Sequence, residues 1–498
     1  MNDSDPAEAI LMPSPSLTED DRGVVFPTAA DGTRVTSPTL RAILADAAHQ
    51  VDPELAQRVR ATDRWRKDYT SHLADITAAS AADPKAALSS AHAGLASMRQ
   101  RLVFHRQGST VDLTEATSDR LLAERLGHRL VAGSNQEPQP ELVVPYRGEL
   151  LAGVSLSEQL ATWVSAGVVE PSFALAIQRI IDHPKWLRLN GRSIAVVGAG
   201  AELAPTAHLL NWGAHVMAID IPRPGLWQSL IESARSSAGT MSIPLDAAGT
   251  PGCSLVYALP EILAWIDEHA EGPTTLGMYG YADGGMHVRL TAAFDALVTA
   301  LTERRPGTSV AYLATPTDAF LVPDQAVEFA RRAHDASRTQ LGPRLLHAVS
   351  AGRLLAKPYG AQPSWRAIID VLVPQQGPNY AMAKRLQRWR GIASAADRIP
   401  VSFNVAPATR TRSVTKNRSL AAAYAGAHHF GIEIFEPDTC RALMAALLVH
   451  DLHQPNTTVA DHPESLFSDA AAHGGLWRAA YAPRSALPIA ALLGAFPR

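Results

Sequence analysis

The chain has 498 residues, of which 46% are hydrophobic and 19% are charged. At about 150 residues per domain this length predicts two or three domains, and the composition, with 33 Gly and 35 Pro, excludes a collagen-like or disordered chain. A net charge of -3 excludes the strongly basic surface typical of nucleic-acid-binding proteins and gives no attraction to an anionic membrane. We therefore expect a folded protein that acts on a small molecule, with no nucleic acid and no membrane among its partners.

The cysteines and histidines do not predict a metal site. Cys253 and Cys440 form no paired motif, and the histidine groups near 428 and 450 match no metal-binding signature. The first residues lack the basic and apolar parts of a secretory signal, and no stretch reaches the roughly 18 uninterrupted apolar residues that span a bilayer. These features predict a cytoplasmic protein without a metal ion.

Two regions precede residue 191. Residues 1–36 are rich in Asp, Pro, Ser and Thr, which predicts a mobile leader. Residues 37–190 carry apolar residues at three- and four-residue spacing, which predicts a mainly helical N-terminal region. The segments with this pattern are 53–79, 83–103, 155–166 and 171–183.

From residue 191 to about 460, short apolar runs alternate with helical patterns. The apolar runs are 193–197, 215–219, 274–279, 309–313 and 401–405, and the helical patterns are 203–211, 260–270, 287–304, 324–336 and 379–392. This alternation predicts an α/β fold with a doubly wound parallel sheet of the Rossmann type. Ligands of such sheets bind beyond the carboxyl ends of the strands. Residues 461–498 are predicted to form a C-terminal extension.

The most specific motif is SIAVVGAGAELAPTAHLLNWGAHVMAID at 193–220, where an apolar run leads into a glycine turn. A first glycine allows the tight turn, and a second lets the backbone approach a phosphate at the start of a helix. The residues expected around a dinucleotide are Gly198, Ala199, Gly200, Ala201, Glu202 and Leu203. Leu203 stands where a third glycine is usual, and Glu202 places a carboxylate in the loop that would meet the phosphates.

Asp220 ends the second run, roughly 20 residues after the turn, where a carboxylate can accept hydrogen bonds from an adenosine ribose. Its neighbour Ile221 is expected to contact the same cofactor. A carboxylate at this place repels a 2′-phosphate, so NAD is favoured over NADP, although Arg223 lies close enough to weaken that preference. Flavin, S-adenosylmethionine, or a turn that binds nothing would use similar backbone geometry, and these alternatives stay open.

A tyrosine and a lysine lie one helical turn apart in GPNYAMAKRLQRWRG, as Tyr380 and Lys384. This spacing puts both side chains on one helix face, where the lysine charge is expected to lower the pKa of the phenol. Such a phenol can exchange a proton with a substrate hydroxyl while hydride moves to or from nicotinamide. The alternative is a half-buried tyrosine beside a solvated lysine.

The order of these motifs resembles that of the short-chain dehydrogenase/reductase superfamily over about 190–455. In that superfamily a glycine turn follows the first strand and Tyr-x-x-x-Lys lies on a later helix. The next strand then opens into a proline turn and a threonine-bearing loop, here Asn404-x-x-Pro407 with Thr409 and Thr411. The resemblance implies that Tyr380 is the acid/base and that Lys384 lowers its pKa and holds the nicotinamide ribose.

The resemblance implies further roles. Asp246, after a presumed third strand, would contact adenine, and the late apolar helix suggests a homo-oligomer. Ala367 occupies the usual offset of the catalytic serine, so Thr315, or else Thr317, would supply that hydroxyl if residues 318–376 are an insertion. The other interpretation of both threonines is that they are ordinary turn residues.

Between Tyr380 and Leu420 the chain has nine Lys or Arg residues and a single acidic residue. If this segment forms the lip of the substrate site, Thr409, Arg410 and Arg412 would bind a phosphate, a carboxylate or a coenzyme A thioester. The alternative is a solvated helix face followed by a salt-bridged loop. His287, after the glycine-rich turn at 281–285, either faces the cofactor crevice or is solvated.

Together these features predict an NAD(P)-dependent oxidoreductase that interconverts a hydroxyl and a carbonyl on a small, anionic substrate. Three alternatives share parts of the pattern. They are a redox-silent epimerase or lyase with bound NAD, a methyltransferase that uses S-adenosylmethionine, and a non-catalytic dinucleotide-binding scaffold.

Overall fold

The computed structural model describes residues 21–118, 124–337, 341–363, 367–455 and 461–496. The helices are α1 (Thr36–Ala48), α2 (Pro53–Arg60), α3 (Trp65–Ser80), α4 (Pro84–Arg101), α5 (Gly153–Ser165), α6 (Pro171–Asp182), α7 (Thr206–Asn211), α8 (Pro224–Arg235), α9 (Leu259–His269), α10 (Gly285–Arg304), α11 (Asp324–Ser337), α12 (Leu341–Val349), α13 (Pro378–Ala396), α14 (Arg412–Lys416), α15 (Arg418–Gly426), α16 (Pro437–His453) and α17 (Pro483–Ala495). The strands are β1 (Gly23–Val25), β2 (Val103–Arg106), β3 (Ser109–Asp112), β4 (Gly127–Ala132), β5 (Val144–Tyr146), β6 (Glu149–Leu151), β7 (Ser193–Val197), β8 (His215–Ile219), β9 (Thr240–Leu245), β10 (Thr274–Met278), β11 (Ser309–Ala314), β12 (Ala319–Leu321), β13 (Ile368–Asp370) and β14 (Val401–Val405).

The centre of the molecule is a seven-stranded sheet in the order β14-β11-β10-β7-β8-β9-β4. All neighbours in it pair in parallel except β4, which lies antiparallel to β9 at the edge. If β7 is counted as the first strand, the six parallel strands follow the order 3-2-1-4-5-6 of doubly wound dinucleotide-binding sheets. The strand order reverses between β7 and β10, so a ligand crevice is expected at their carboxyl ends.

Both faces of the sheet are covered, which explains the continuous apolar runs in the sequence. Every residue of β7, β10 and β14 is buried. Along β7, Ala195 and Val197 belong to one hydrophobic cluster, whereas Ile194 and Val196 belong to a second cluster on the other face. Strands covered on both faces read as apolar runs without alternation, as parallel sheets require.

Helix starts follow local sequence rules. The carboxylate of Asp52 accepts hydrogen bonds from two backbone N–H groups at the start of α2, and Asp83 accepts one at the start of α4. In both cases proline occupies the first helical position, where its missing N–H leaves no acceptor unpaired. These local features made the N-terminal helices predictable, although the segment 53–79 is divided into α2 and α3.

The α/β class and a mostly parallel central sheet are confirmed. The structure adds features that periodicity did not reveal in the regions before 191 and after 460. Residues 1–20 of the expected leader lie outside the described residues, whereas β1, from the same segment, is buried and pairs with β2. Strand β4, in the region expected to be mainly helical, completes the central sheet, and Trp477, in the expected C-terminal extension, is fully buried.

Residues between β11 and α13 form β12, α11, α12 and β13, and β12 pairs with β13 in an antiparallel ribbon. This segment departs from the sheet after β11 and returns to it before α13. Within the described ranges no helix is both long enough and apolar enough to cross a membrane.

Candidate functional site

The carboxyl ends of β7 and β10 approach each other at two glycines. Gly198 has a φ of +81°, and a Cβ at this position would lie 2.3 Å from the Cα of Gly280. Any side chain at 198 would therefore collide with the backbone that follows β10, so only glycine fits. This close contact lies where the strand order reverses.

Asp220, at the end of β8, closes the glycine turn. Its Oδ2 accepts a hydrogen bond from the N–H of Gly200, and its Oδ1 accepts one from Ile221, both at 2.8 Å. Burial raises the pKa of Asp220 above its usual value, against the lowering effect of these bonds. Each carboxylate oxygen can accept more than one hydrogen bond, so the capacity to bind a ribose hydroxyl remains. Ile221, beside it, is 42% exposed and offers an apolar surface.

The loop after Gly200 is longer than the sequence predicted, because α7 begins only at Thr206. Within the described residues, the backbone N–H groups of Glu202 and Leu203 have no hydrogen-bond acceptor. Two adjacent N–H groups without partners can bind an anion. The side chain of Leu226 fills the space beside Gly200, where a Cβ would lie 2.7 Å from it.

Asp246 follows β9, as the resemblance requires, but its visible role is to shape its own turn. Its Oδ1 accepts hydrogen bonds from Ala248 at 3.0 Å and from Thr250 at 2.7 Å. The same loop then reaches the end of β8, where the N–H of Cys253 donates to the carbonyl of Asp220 at 2.8 Å. Asp246 and Asp220 thus belong to two loops that meet at one edge of the sheet.

Tyr380 and Lys384 lie on the first two turns of α13, and the Lys384 Nζ is 5.9 Å from the centre of the Tyr380 ring. The ammonium donates hydrogen bonds to the carbonyl of Leu313 at 3.0 Å and to the Oε1 of Gln387 at 3.2 Å. Burial lowers the pKa of Lys384 to about 8. Both residues therefore share a helix face, as predicted, and that face meets the end of β11.

Thr315 is the candidate for the hydroxyl that a serine supplies in the superfamily that the sequence resembles. It follows β11, and its interaction with Tyr380 acts to lower the pKa of that phenol. Burial outweighs this effect, so the pKa of Tyr380 lies above its usual value and not below it, as the spacing alone had predicted. The reason is that the Lys384 ammonium is directed at Leu313 and Gln387, while the neighbours of Tyr380 remove much of the water around its phenol.

Thr317, the other candidate for the catalytic hydroxyl, contacts Thr315 instead. Its hydroxyl lies 2.7 Å from that of Thr315 and accepts a hydrogen bond from Gln376 at 2.6 Å. Because Gln376 comes just before α13, both ends of the 318–376 segment meet at the two threonines. Asp318 adds an ion pair with Arg388 of α13 at 2.9 Å.

Two aromatic side chains complete the group: His287, for which the sequence left a crevice and a solvated position open, and Tyr281. The ring of His287 is only 1% exposed and stacks on Tyr380 with 5.5 Å between ring centres, and Tyr281 lies 6.0 Å from Tyr380. The Nδ1 of His287 accepts a hydrogen bond from Ala282 at 3.3 Å, and its Nε2 has no partner in the described part of the chain. Burial lowers the pKa of His287 to about 3, so this ring is neutral and not solvated. The sequence feature that pointed to His287 was its position in the first turn of the helix that follows β10.

The expected substrate lip is only partly assembled. Thr409 is buried and donates to the carbonyl of Pro407 at 2.8 Å, so its hydroxyl is turned inward. Arg410 is exposed and lies 3.6 Å from Glu436. The Arg412 guanidinium has no ion-pair partner among residues that the structure describes. The two arginines therefore do not form a clamp in this structure.

Several of the basic residues between Tyr380 and Leu420 are buried in ion pairs. Arg385 and Arg388 pair with Asp318, Arg388 also pairs with Glu464, and Arg390 pairs with Asp295. These arginines hold α13 against its neighbours instead of facing a ligand. The alternative of a solvated helix face is not what the structure shows at these positions.

Within the described ranges, no group of three or more His, Cys, Asp or Glu side chains is arranged to hold a metal ion. The chain is matched by no protein-family model, and it has no significant sequence match among curated proteins.

Proposed function

We propose that this protein is an NAD(H)-dependent oxidoreductase that interconverts a hydroxyl and a carbonyl, in the manner of the short-chain dehydrogenases/reductases that it resembles. The observation that carries the proposal is that Tyr380 and Lys384 of α13 meet the end of β11, which Thr315 follows, since the Lys384 ammonium donates to the carbonyl of Leu313 there. The threonine and the pair come from elements that a long inserted segment separates. They meet at the carboxyl end of the sheet, beside the strand ends where a dinucleotide would bind.

The cofactor proposal rests on the residues around the glycine turn. The free N–H groups of Glu202 and Leu203 would bind the pyrophosphate, the Asp220 carboxylate would accept the ribose hydroxyls, and Ile221 would contact the adenine face. A carboxylate at this place favours NAD over NADP. The nicotinamide, when bound, supplies or accepts the hydride.

Tyr380 would transfer the proton. Because the pKa of Tyr380 is raised, the phenol is protonated near neutral pH and is suited to donate to a carbonyl oxygen during reduction. Thr315 would orient the same oxygen, and the Lys384 ammonium would hold the nicotinamide ribose, which is the role that the resemblance implies for it. We propose a small substrate with an anionic group, which would bind the Arg412 guanidinium, since this group has no ion-pair partner in the described part of the chain.

Calorimetric titration of the purified protein with NADH, NADPH and S-adenosylmethionine tests the proposal. NADH should bind to the wild-type protein. Asp220→Ala and Lys384→Ala should each weaken NADH affinity about tenfold, which corresponds to the loss of roughly one hydrogen bond to a charged group. S-adenosylmethionine should not bind. Binding of S-adenosylmethionine alone would support a methyltransferase instead. Binding of NADH without reduction of any carbonyl compound in a broad screen would support a scaffold.

A further inference from the structure

Glu202 is the residue of the glycine turn that departs most from a phosphate-binding loop, and its contacts lead away from the turn. Its Oε2 accepts a hydrogen bond from the backbone N–H of Arg412 at 2.9 Å. Its backbone carbonyl accepts another from the Nε of Arg441 at 3.0 Å. The glycine turn is therefore joined through one residue to the segment that follows β14.

That segment consists of α14 and α15, and its other end is packed into the molecule. Tyr424 on α15 packs against the large hydrophobic core that also contains Ala381 and Met382 of α13. Past Tyr424, α15 packs on α17 at backbone distance, because a Cβ on Gly426 would lie 2.0 Å from the carbonyl of Ala490. So α15 is held firmly at its far end, and Glu202 holds the Arg412 end.

We propose that Glu202 is a positioning residue that couples nucleotide binding at the glycine turn to the placement of α14 and α15. The inference rests on the proposed function. The N–H of Glu202 is one of the two free donors for a pyrophosphate, so the carboxylate of the same residue lies close to any phosphate bound there. The like charges repel each other, which weakens the bond from Glu202 to the Arg412 N–H and releases this end of the segment.

The first experiment is an NADH titration by calorimetry on the wild-type protein and on Glu202→Gln, at low and at high salt. The glutamine keeps an acceptor oxygen for the Arg412 N–H but carries no charge, so NADH should bind about fivefold tighter at low salt. The gain should shrink at high salt, because salt screens the repulsion. Glu436→Gln is the matched control, since it removes an exposed carboxylate beside Arg410 that does not touch the turn. It should change NADH affinity by less than about twofold.

The second experiment is limited trypsin digestion, with cleavage after Arg410, Arg412, Lys416 and Arg418 followed by mass spectrometry. NADH should speed cleavage in the wild-type protein at least about threefold, which is the effect of losing roughly one surface hydrogen bond. Glu202→Ala should be cut quickly with or without NADH, because it has no acceptor for the Arg412 N–H.

The possible results separate this inference from the proposed function. If the wild-type protein does not bind NADH, both are overturned. If it binds NADH but Glu202→Gln has unchanged or weaker affinity, or NADH leaves the cleavage rate unchanged, the coupling by Glu202 is overturned and the oxidoreductase proposal stands.

Discussion

The rings of His287 and Tyr380 lie nearly parallel, with 9° between their planes. The stack contributes to the burial that raises the pKa of the phenol, since one face of the Tyr380 ring is covered by a neutral side chain from the neighbouring helix α10, while Tyr380 as a whole is partly exposed. Tyr281 approaches the same ring at 55°. The proposed acid/base therefore lies in an aromatic environment built by the loop after β10 and the first turn of α10.

Replacing Tyr380 by phenylalanine removes the proton donor and leaves this stack in place. We expect reduction of a carbonyl substrate to slow roughly 100-fold or more, with unchanged NADH affinity. The measurement is NADH consumption with any carbonyl compound that the wild-type protein reduces. Tyr312→Phe is a suitable control, because its buried hydroxyl has no partner among the described residues. A Tyr380→Phe protein as active as the control would remove Tyr380 from the mechanism.

Lys384 gives a pH-dependent stability that can be measured without a substrate. Its pKa is lowered from 10.5 to about 8, so between these values the folded protein binds fewer protons than the unfolded chain, and stability rises with pH. Relative to Lys384→Met, the wild-type free energy of unfolding should rise by about 2–3 kcal/mol from pH 8 to pH 10. Urea unfolding of both proteins at several pH values tests this. Parallel curves for the two proteins would show that Lys384 is not enclosed.

Glu170 should contribute stability in the opposite pH range. Arg478 and His473 hold the pKa of this buried carboxyl at about 2, against the effect of burial. Its contribution is present above about pH 4.5 and is lost as the pH falls towards 2.

The change Glu170→Gln should therefore cost about 3–5 kcal/mol at pH 7, because it leaves the charge of Arg478 buried without a partner. The cost should fall as the pH is lowered from 4.5, which urea unfolding can follow. Glu268→Gln, in an exposed pair with Arg125, is the control and should have little effect. Equal effects of the two substitutions would contradict the role of burial.

Gly198 and Gly191 provide a matched pair, because both have a positive φ but only one has close neighbours. Among the described residues, no atom other than those of the adjacent residues lies within 4 Å of a Cβ at Gly191, so Gly191→Ala should cost only the backbone strain of about 1–2 kcal/mol. Gly198→Ala adds a collision with Gly280 and should cost about 2–5 kcal/mol. Chemical denaturation compares the two. NADH binding should be lost only in Gly198→Ala, and equal stability of the two variants would contradict the close approach of β7 and β10.

The features that the sequence by itself determined are local ones. Apolar runs mark β7, β10, β11 and β14 because these strands are covered on both faces. Likewise, the glycine turn and the Tyr380 to Lys384 spacing are readable because each is defined by a few consecutive residues. The edge strand β4 was missed because its residues are mostly exposed and its partner is β9, more than a hundred residues later.

Only the tertiary structure decided which chemistry-bearing side chains meet. Thr315 reaches Tyr380 because β12, α11, α12 and β13 leave the sheet and return to it, and no periodicity in the chain reports that return. The pKa of Tyr380 was also decided by the tertiary structure. The spacing of Tyr380 and Lys384 alone predicted a lower pKa for the phenol, yet burial raises it. The pKa of a group depends on how much water and which charges surround it, and those surroundings come from segments distant in sequence.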